Sequence, residues 1–392
     1  GLVWGIASTV LAGPLFTLVI CVLVLVGKRT VMFSVQPGIY PLRSWFGLRK
    51  WLSDQLMALS LGLTNTLYAT LYLVPFLRLL GARIGAWSEV STVAYLDPDM
   101  LHLGSGSFVA DIAVVGPAVF YRNCVALIPA SVGERSFVGN GALIPGGSRL
   151  GNNSLIGVYS VPPAQEVASD TSWLGSPAIF LPKRQESEQF SDKLTYHPAP
   201  GLVAGRLFIE YFRITLPMSI LSCLSLLDEQ VMYYLFETTS PLALFALIPF
   251  LLMGLGIALT LLVVLLKWII IGRYRPRVKP LWSVFVRRSE LITGLYEAGA
   301  VPALLSFLTG TPWIAPFLRL LGARIGQRVW LDTTFLTEFD LVTIGDDASV
   351  GETSSLQTHL FEDRVMKMST VKIGARCSIG SHSVVLYDAE IG

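Results

Sequence analysis

The chain has 392 residues, of which 53% are hydrophobic and only 14% charged, where a soluble domain carries roughly 25% charged residues. A net charge of +2 without a long basic run argues against nucleic-acid binding. Four scattered cysteines with no Cys-x-x-Cys spacing argue against a disulfide framework or a zinc site. Part of such a chain belongs in a bilayer.

Residues 1–27 carry no charge and end at Lys28-Arg29. That length crosses about 30 Å of hydrocarbon as a transmembrane helix, and the basic pair marks its cytoplasmic end. Residues 28–74 read as an interfacial helical segment, because the apolar stretch 55–77 follows a Pro41-to-Ser44 element and the basic Arg49 and Lys50. Residues 75–184 form the first β-helix domain. Within it Val132-Gly, Val138-Gly, Ile144-Pro, Leu150-Gly and Ile156-Gly place one aliphatic residue at every sixth position. This is the hexapeptide repeat of a parallel β-helix: each hexad supplies a short strand and a corner, the aliphatic side chain stacks inward, and Gly permits the corner. The beat fades over 110–131, and a break in period predicts a loop. The domain closes on a turn element, Trp173-Leu-Gly-Ser-Pro-Ala.

A linker over 185–205 contains the solvated His197. A transmembrane helix and outer loop follow over 206–236, the helix carrying Glu210 and Arg213 three residues apart and the loop Asp228, Glu229 and, at its edge, Glu237. A further transmembrane helix spans 238–272. After it, 273–315 is again an interfacial helical segment, and 316–392 is a second, incomplete β-helix domain whose beat runs through Ile344, Val350, Ile373, Ile379, Val385 and Ile391, with a break over 351–372. The chain starts on Gly and stops inside the repeat, so it is expected to be an internal piece of a longer polypeptide.

The two halves repeat in register. Pro75 to Gly85 returns letter for letter as Pro316 to Gly326, a displacement of 316 − 75 = 241. Copies this alike are expected on one membrane face, the cytoplasmic one, which favours an even number of crossings. The fold class is thus a multi-domain membrane protein, in which transmembrane α-helices alternate with two parallel β-helix domains, the second truncated.

The hexads resemble the left-handed β-helix of the hexapeptide acyltransferase superfamily, in which a His often acts as base beside a pantetheine arm. Leu356 to Lys367, with Phe137 to Gly147 and Leu155 to Pro163, resembles the membrane-bound terminal region of nonribosomal peptide synthetases of the epsilon-poly-lysine synthetase type. That resemblance implies upstream adenylation and carrier domains on the same polypeptide. It also implies a phosphopantetheine arm as donor, with no cofactor or metal bound by the chain itself.

Among four histidines, His359 stands in the second interruption amid hydrogen-bonding and charged groups. Acyl or peptidyl transfer from a thioester needs a base for the attacking amine, and His titrates near neutrality. The catalytic candidates are therefore His359 with Glu352 or Asp363 to orient it. Thr358, Glu362, Arg364 and Asp340 are candidates for binding substrate or the developing oxyanion. His359 also has a plain reading, as a side chain that satisfies backbone groups in a packed loop. Trp173, Gly175, Ser176 and Pro177 resemble the element beside the pantetheine groove of hexapeptide acyltransferases, and read equally as an ordinary turn. The first copy has Ala118 where the second has His359, so it cannot run the same chemistry and is expected to supply a wall of the cleft instead. Asp97 faces Glu338 across the repeat; acids at such positions commonly cap turns. The expected function is amide-bond formation from carrier-bound aminoacyl thioesters. The alternatives are a non-catalytic membrane scaffold for upstream domains and an envelope O-acyltransferase using coenzyme A.

Overall fold

The computed structural model describes residues 2–32, 35–93, 95–164, 166–183 and 190–392. Arg184 and the first linker residues, 185–189, lie outside the described residues. The chain divides into two compact units, residues 15–187 and residues 1–14 with 188–392.

In the first unit the hexads wind into three parallel sheets. The strands of one sheet are Arg83–Ile84, Leu101–Leu103, Ala130–Val132 and Arg149–Leu150. A second sheet stacks Glu89–Val90, Phe108–Val109, Phe137–Val138 and Leu155–Ile156, and ends in the Ser172–Leu174 and Ile179–Leu181 strands. The third sheet holds Tyr95–Leu96, Val114–Val115 and Leu143–Ile144. Val132 pairs with Leu150 and Val138 with Ile156. Each step is 18 residues (150 − 132 and 156 − 138), or three hexads per coil. The inward residue of every strand is buried, from Ile84 through Leu103 and Val132 to Leu150 on the first sheet. Each fully buried aliphatic contributes roughly 1.5–3 kcal/mol, so the beat in the sequence is the core itself.

The second unit repeats this with Ile325, Ile344 and Ile373 on one sheet and Leu331, Val350 and Ile379 on the next. Its core continues into helices: Val263, Ile292, Leu295 and Tyr296 pack in one cluster with Leu331, Val350 and Ile373.

The interruptions are ordered structure where the sequence predicts loops. Strands Val119–Tyr121 and Cys124–Leu127 form a hairpin in the first unit, as do His359–Glu362 and Val365–Met368 in the second. Both turns are two residues at positive φ, Arg122-Asn123 and Asp363-Arg364. That is the turn whose twist matches paired strands. A strand that follows the first long apolar helix, Gly38–Pro41, pairs with the first hairpin, and Arg277–Pro280 pairs with the second.

Among the described residues, four helical stretches are long and apolar enough to cross a membrane: Ala7–Val31, Asp192–Thr238, Pro241–Ile270 and Val284–Leu308. The second differs from expectation, because a single helix, Pro200–Thr238, runs through Asp228, Glu229 and Glu237 where an outer loop is predicted. The chain turns back only at Thr239-Ser240, where the Ser240 hydroxyl caps the next helix by accepting from Ala243 N at 3.4 Å and Pro241 opens it. At about 1.5 Å per residue this helix is longer than hydrocarbon is thick. Its first third carries the buried ions: Arg206 Nε lies 2.6 Å and Arg287 Nη1 3.6 Å from Glu210. The fourth stretch overlaps the predicted interfacial segment 273–315. It passes from α-helix at Val284–Leu295 into a π-helical turn at Tyr296–Leu305, which contains Pro302. Proline removes a helical donor and clashes with the preceding turn, which accounts for the wider winding.

The helix Trp45–Leu63 has inverted burial. Lys50, Ser53 and Ser60 are buried while Trp45, Leu48, Trp51, Leu59 and Leu63 are exposed, Trp51 by 55%. An apolar outer face on a polar inner one is the pattern of a helix solvated by lipid. A nitroxide on a cysteine at position 51 is expected to relax faster with lipid-soluble oxygen than with a water-soluble nickel chelate. The opposite ranking places this helix in water.

Candidate functional site

His359 is the first residue of the hairpin in the second unit, and the carboxylate that meets it is Glu338. Nδ1 lies 2.7 Å from Glu338 Oε2. The same oxygen accepts from the Thr358 hydroxyl at 2.7 Å, and Oε1 accepts from Ser289 Oγ at 3.1 Å. The Tyr274 hydroxyl lies 3.2 Å from Ser289 Oγ, and Thr337 Oγ1 3.4 Å from the imidazole. Glu338 is 1% exposed, whereas the His359 side chain is 25% exposed. The imidazole is partly open to solvent and the carboxylate lies beneath it. Phe361 meets the ring edge to face at 5.2 Å between centroids.

Local backbone brings Glu338 there. It adopts φ 40°, ψ 55°, a left-handed conformation that costs a non-glycine residue about 1–2 kcal/mol. Asp97, its match in the first unit, is extended at φ −106°. Pairing shifts with it: Leu336 bridges Leu356, whereas the first unit pairs Leu96, the match of Thr337, with Val115. The strained residue absorbs that one-residue shift and aims its carboxylate at the imidazole.

Burial alone raises the pKa of Glu338. The His359 cation and hydrogen bonds from His359, Thr358 and Thr337 outweigh it and hold the carboxyl below the ordinary glutamate range. Glu338 is therefore ionised at neutral pH. Its stabilising contribution is complete above the unfolded value of about 4.3 and is lost as pH falls through the lower folded value. Glu338→Gln is expected to unfold with a shallower pH dependence below about 4.3, read as the pH midpoint of acid denaturation by circular dichroism. An unchanged acid limb overturns the assignment. Burial and the Glu338 charge push the Tyr274 phenol upward, so it stays a hydrogen-bond donor. An ionised carboxylate on Nδ1 fixes the imidazole tautomer and stabilises the imidazolium formed when the ring accepts a proton.

The other sequence candidates take different places. Thr358 is in the site. Asp340 is not available to a substrate: Lys267 Nζ donates to it at 2.7 Å and Tyr274 N at 3.1 Å, and its side chain is 4% exposed. Glu362 is buried and held by Lys367 at 2.9 Å, so it is no open substrate contact. Arg364 is buried in the hairpin turn, with its guanidinium 5.7 Å from the Tyr196 ring and its carbonyl accepting from Leu281 N at 2.8 Å. Asp363 opens that turn at φ 48°, and Glu352 is exposed at a coil corner. The carboxylate on His359 is Glu338, where the sequence suggests Glu352 or Asp363, and the sequence marks Glu338 only as the match of Asp97.

Trp173, Gly175, Ser176 and Pro177 belong to the first unit. Ser160 Oγ accepts from Gly175 N at 2.7 Å, and Trp173 packs on Phe180. Ser176-Pro177 is a cis bond in the turn between the last two strands. Among the described residues no group of three His, Cys, Asp or Glu is placed to hold a metal ion.

The first unit fills the matching site differently. Lys50, which matches Ser289 (289 − 50 = 239, the displacement that also takes Pro41 to Pro280), pairs with Asp97 at 3.2 Å and with Asp54, and reaches the Tyr95 hydroxyl at 2.9 Å. Burial opposes the ammonium charge, but Asp97, Tyr95 and Asp54 outweigh it and raise the pKa of Lys50, while burial pushes Tyr95 up to about 12. A buried lysine–aspartate ion pair stands where the second unit has the His359–Glu338 pair.

No family model matches the chain. Over 372 residues it is 40% identical to the Delta-poly-L-ornithine synthetase of Acinetobacter baumannii (strain AB307-0294), an alignment that covers 93% of this chain and 27% of that protein. The chain thus spans about a quarter of the length of this curated relative. Among solved structures, a maltose O-acetyltransferase from Clostridium difficile 630 is 16% identical with a TM-score of 0.28, covering 41% of this chain and 98% of that one. A hexapeptide-repeat-containing acetyltransferase from Vibrio cholerae is 20% identical with a TM-score of 0.21, covering 29% and 80%.

Proposed function

We propose that the chain is a membrane-anchored acyl- or peptidyl-transfer region of a poly-amino-acid synthetase, in which His359, oriented by Glu338, takes the proton from an attacking amine. The observation that carries the reading is the dyad: a partly exposed imidazole with a buried, ionised carboxylate on its inner nitrogen. The 40% identity to a Delta-poly-L-ornithine synthetase supports the same class of product, a polymer of a cationic amino acid.

In this reading the amine attacks the carbonyl carbon of a carrier-bound aminoacyl thioester, His359 removes the amine proton, and the carrier thiolate leaves and takes a proton. The chain's own groups hold and move that proton. The phosphopantetheine arm would supply the thioester, and adenylation and carrier domains would be the partners in the longer polypeptide. Lys50 gives the first unit a structural part, which fits the scaffold reading for that unit alone. The test is polymer formation by the full-length synthetase with His359 replaced, scored against aminoacyl loading of the carrier.

A further inference from the structure

Parallel pairing in register aligns outward-facing residues into rows across a β-helix face. On one face of the first unit the row is Arg83, His102, Ser131 and Arg149, each paired with the next. Adjacent strands are about 4.8 Å apart, so the row runs about 14 Å. Its first three members line a shallow groove together with the backbone of Gly85 and Gly104. Arg83 and Arg149 are exposed, and among the described residues neither pairs with a carboxylate.

The matching row of the second unit is Arg324, Thr343, Lys372 and Glu390. There Thr343 stands in the place of His102, and Glu390 neutralises Lys372 at 3.1 Å. The cationic row is therefore not a by-product of the coil, since the same coil is built without it. Burial and repulsion from Arg83 on the neighbouring strand depress the pKa of His102. An anion bound along the row relieves that repulsion.

We infer that this face of the first unit binds a phosphate or diphosphate group, with Arg83 and Arg149 supplying charge and His102 and Ser131 supplying donors. The inference is independent of His359. A soluble phosphorylated compound and a lipid headgroup share this chemistry. The test is carbethoxylation of His102 in the full-length protein in phosphatidylcholine nanodiscs, followed by peptide mass spectrometry. Inorganic pyrophosphate is the soluble probe, and nanodiscs containing phosphatidic acid are the lipid probe. Modification of His102 is expected to slow at least fivefold with one probe or both, and the responding probe identifies the source. Arg83→Gln and Arg149→Gln abolish the protection, while Arg135→Gln keeps it. Full reactivity of His102 under both probes, or protection that survives both row substitutions, overturns the inference.

Discussion

On the proposed function, His359→Ala in the full-length protein is expected to lower polymer formation by about 10²- to 10⁴-fold, the usual contribution of a positioned general base, with amino-acid activation and carrier loading unchanged. The dyad geometry supplies a sharper variant. His359→Asn keeps a donor in reach of Glu338, so the buried carboxylate retains a partner and the fold is preserved, yet no group remains to take the amine proton. A catalytic His359 therefore predicts that the Asn enzyme is as stable as the native one and as inactive as the Ala enzyme. A residue that merely satisfies buried groups predicts activity restored with stability. Glu338→Gln separates the two partners further: it retains the imidazole but removes the charge that stabilises imidazolium, so the acid limb of the rate profile, which His359 protonation sets, moves to lower pH with a drop in the maximal rate. Native product yield in the Asn variant removes His359 from the chemistry and leaves the scaffold reading.

What the sequence discloses follows from the range over which each feature is encoded. The coils are legible because every hexad states its own inward residue, and Val132 needs no knowledge of Leu150 to announce itself. Hairpins inside the interruptions are not legible, since their turns carry Arg122-Asn123 and Asp363-Arg364 in place of the Asn-Gly or Asp-Gly that signals such a turn. The helix Trp45–Leu63 is recognisable as apolar, but which face turns inward depends on Asp97 and Tyr95, more than thirty residues away, which hold Lys50. His359 stands out by residue type and by its replacement of Ala118. Glu338 does not, because its value rests on a left-handed backbone and on contacts from Thr358 and Ser289 that no local pattern encodes. The repeat was nonetheless the available signal: the acid persists at 97 and 338 while its cationic partner changes from Lys50 to His359.

The same comparison across copies exposes a second conserved contact, and it predicts the largest loss of stability. Lys28 and Lys267 lie 239 residues apart (267 − 28), each in the last turn of an apolar helix, and each pairs with the acid of its own unit, Asp99 or Asp340. Lys267 is fully buried. Asp340→Ala leaves that ammonium with neither water nor a counter-ion and also orphans Tyr274 N, so it is expected to cost about 3–5 kcal/mol. The double variant Lys267→Met, Asp340→Leu removes both charges and is expected to recover most of the loss, as apolar replacement of a buried pair usually does. Thermal unfolding of the detergent-solubilised protein measures both, and hydrogen exchange at Val342–Ile344 localises the effect to the coil that Asp340 precedes. A single variant as stable as the native chain would mean that water reaches Lys267. The expected result has a functional corollary, because Tyr274 joins this pair to the dyad through Ser289 and Glu338. Loosening the helix end by Asp340→Ala is therefore expected to lower polymer formation as well, and the charge-free double variant to restore it together with stability.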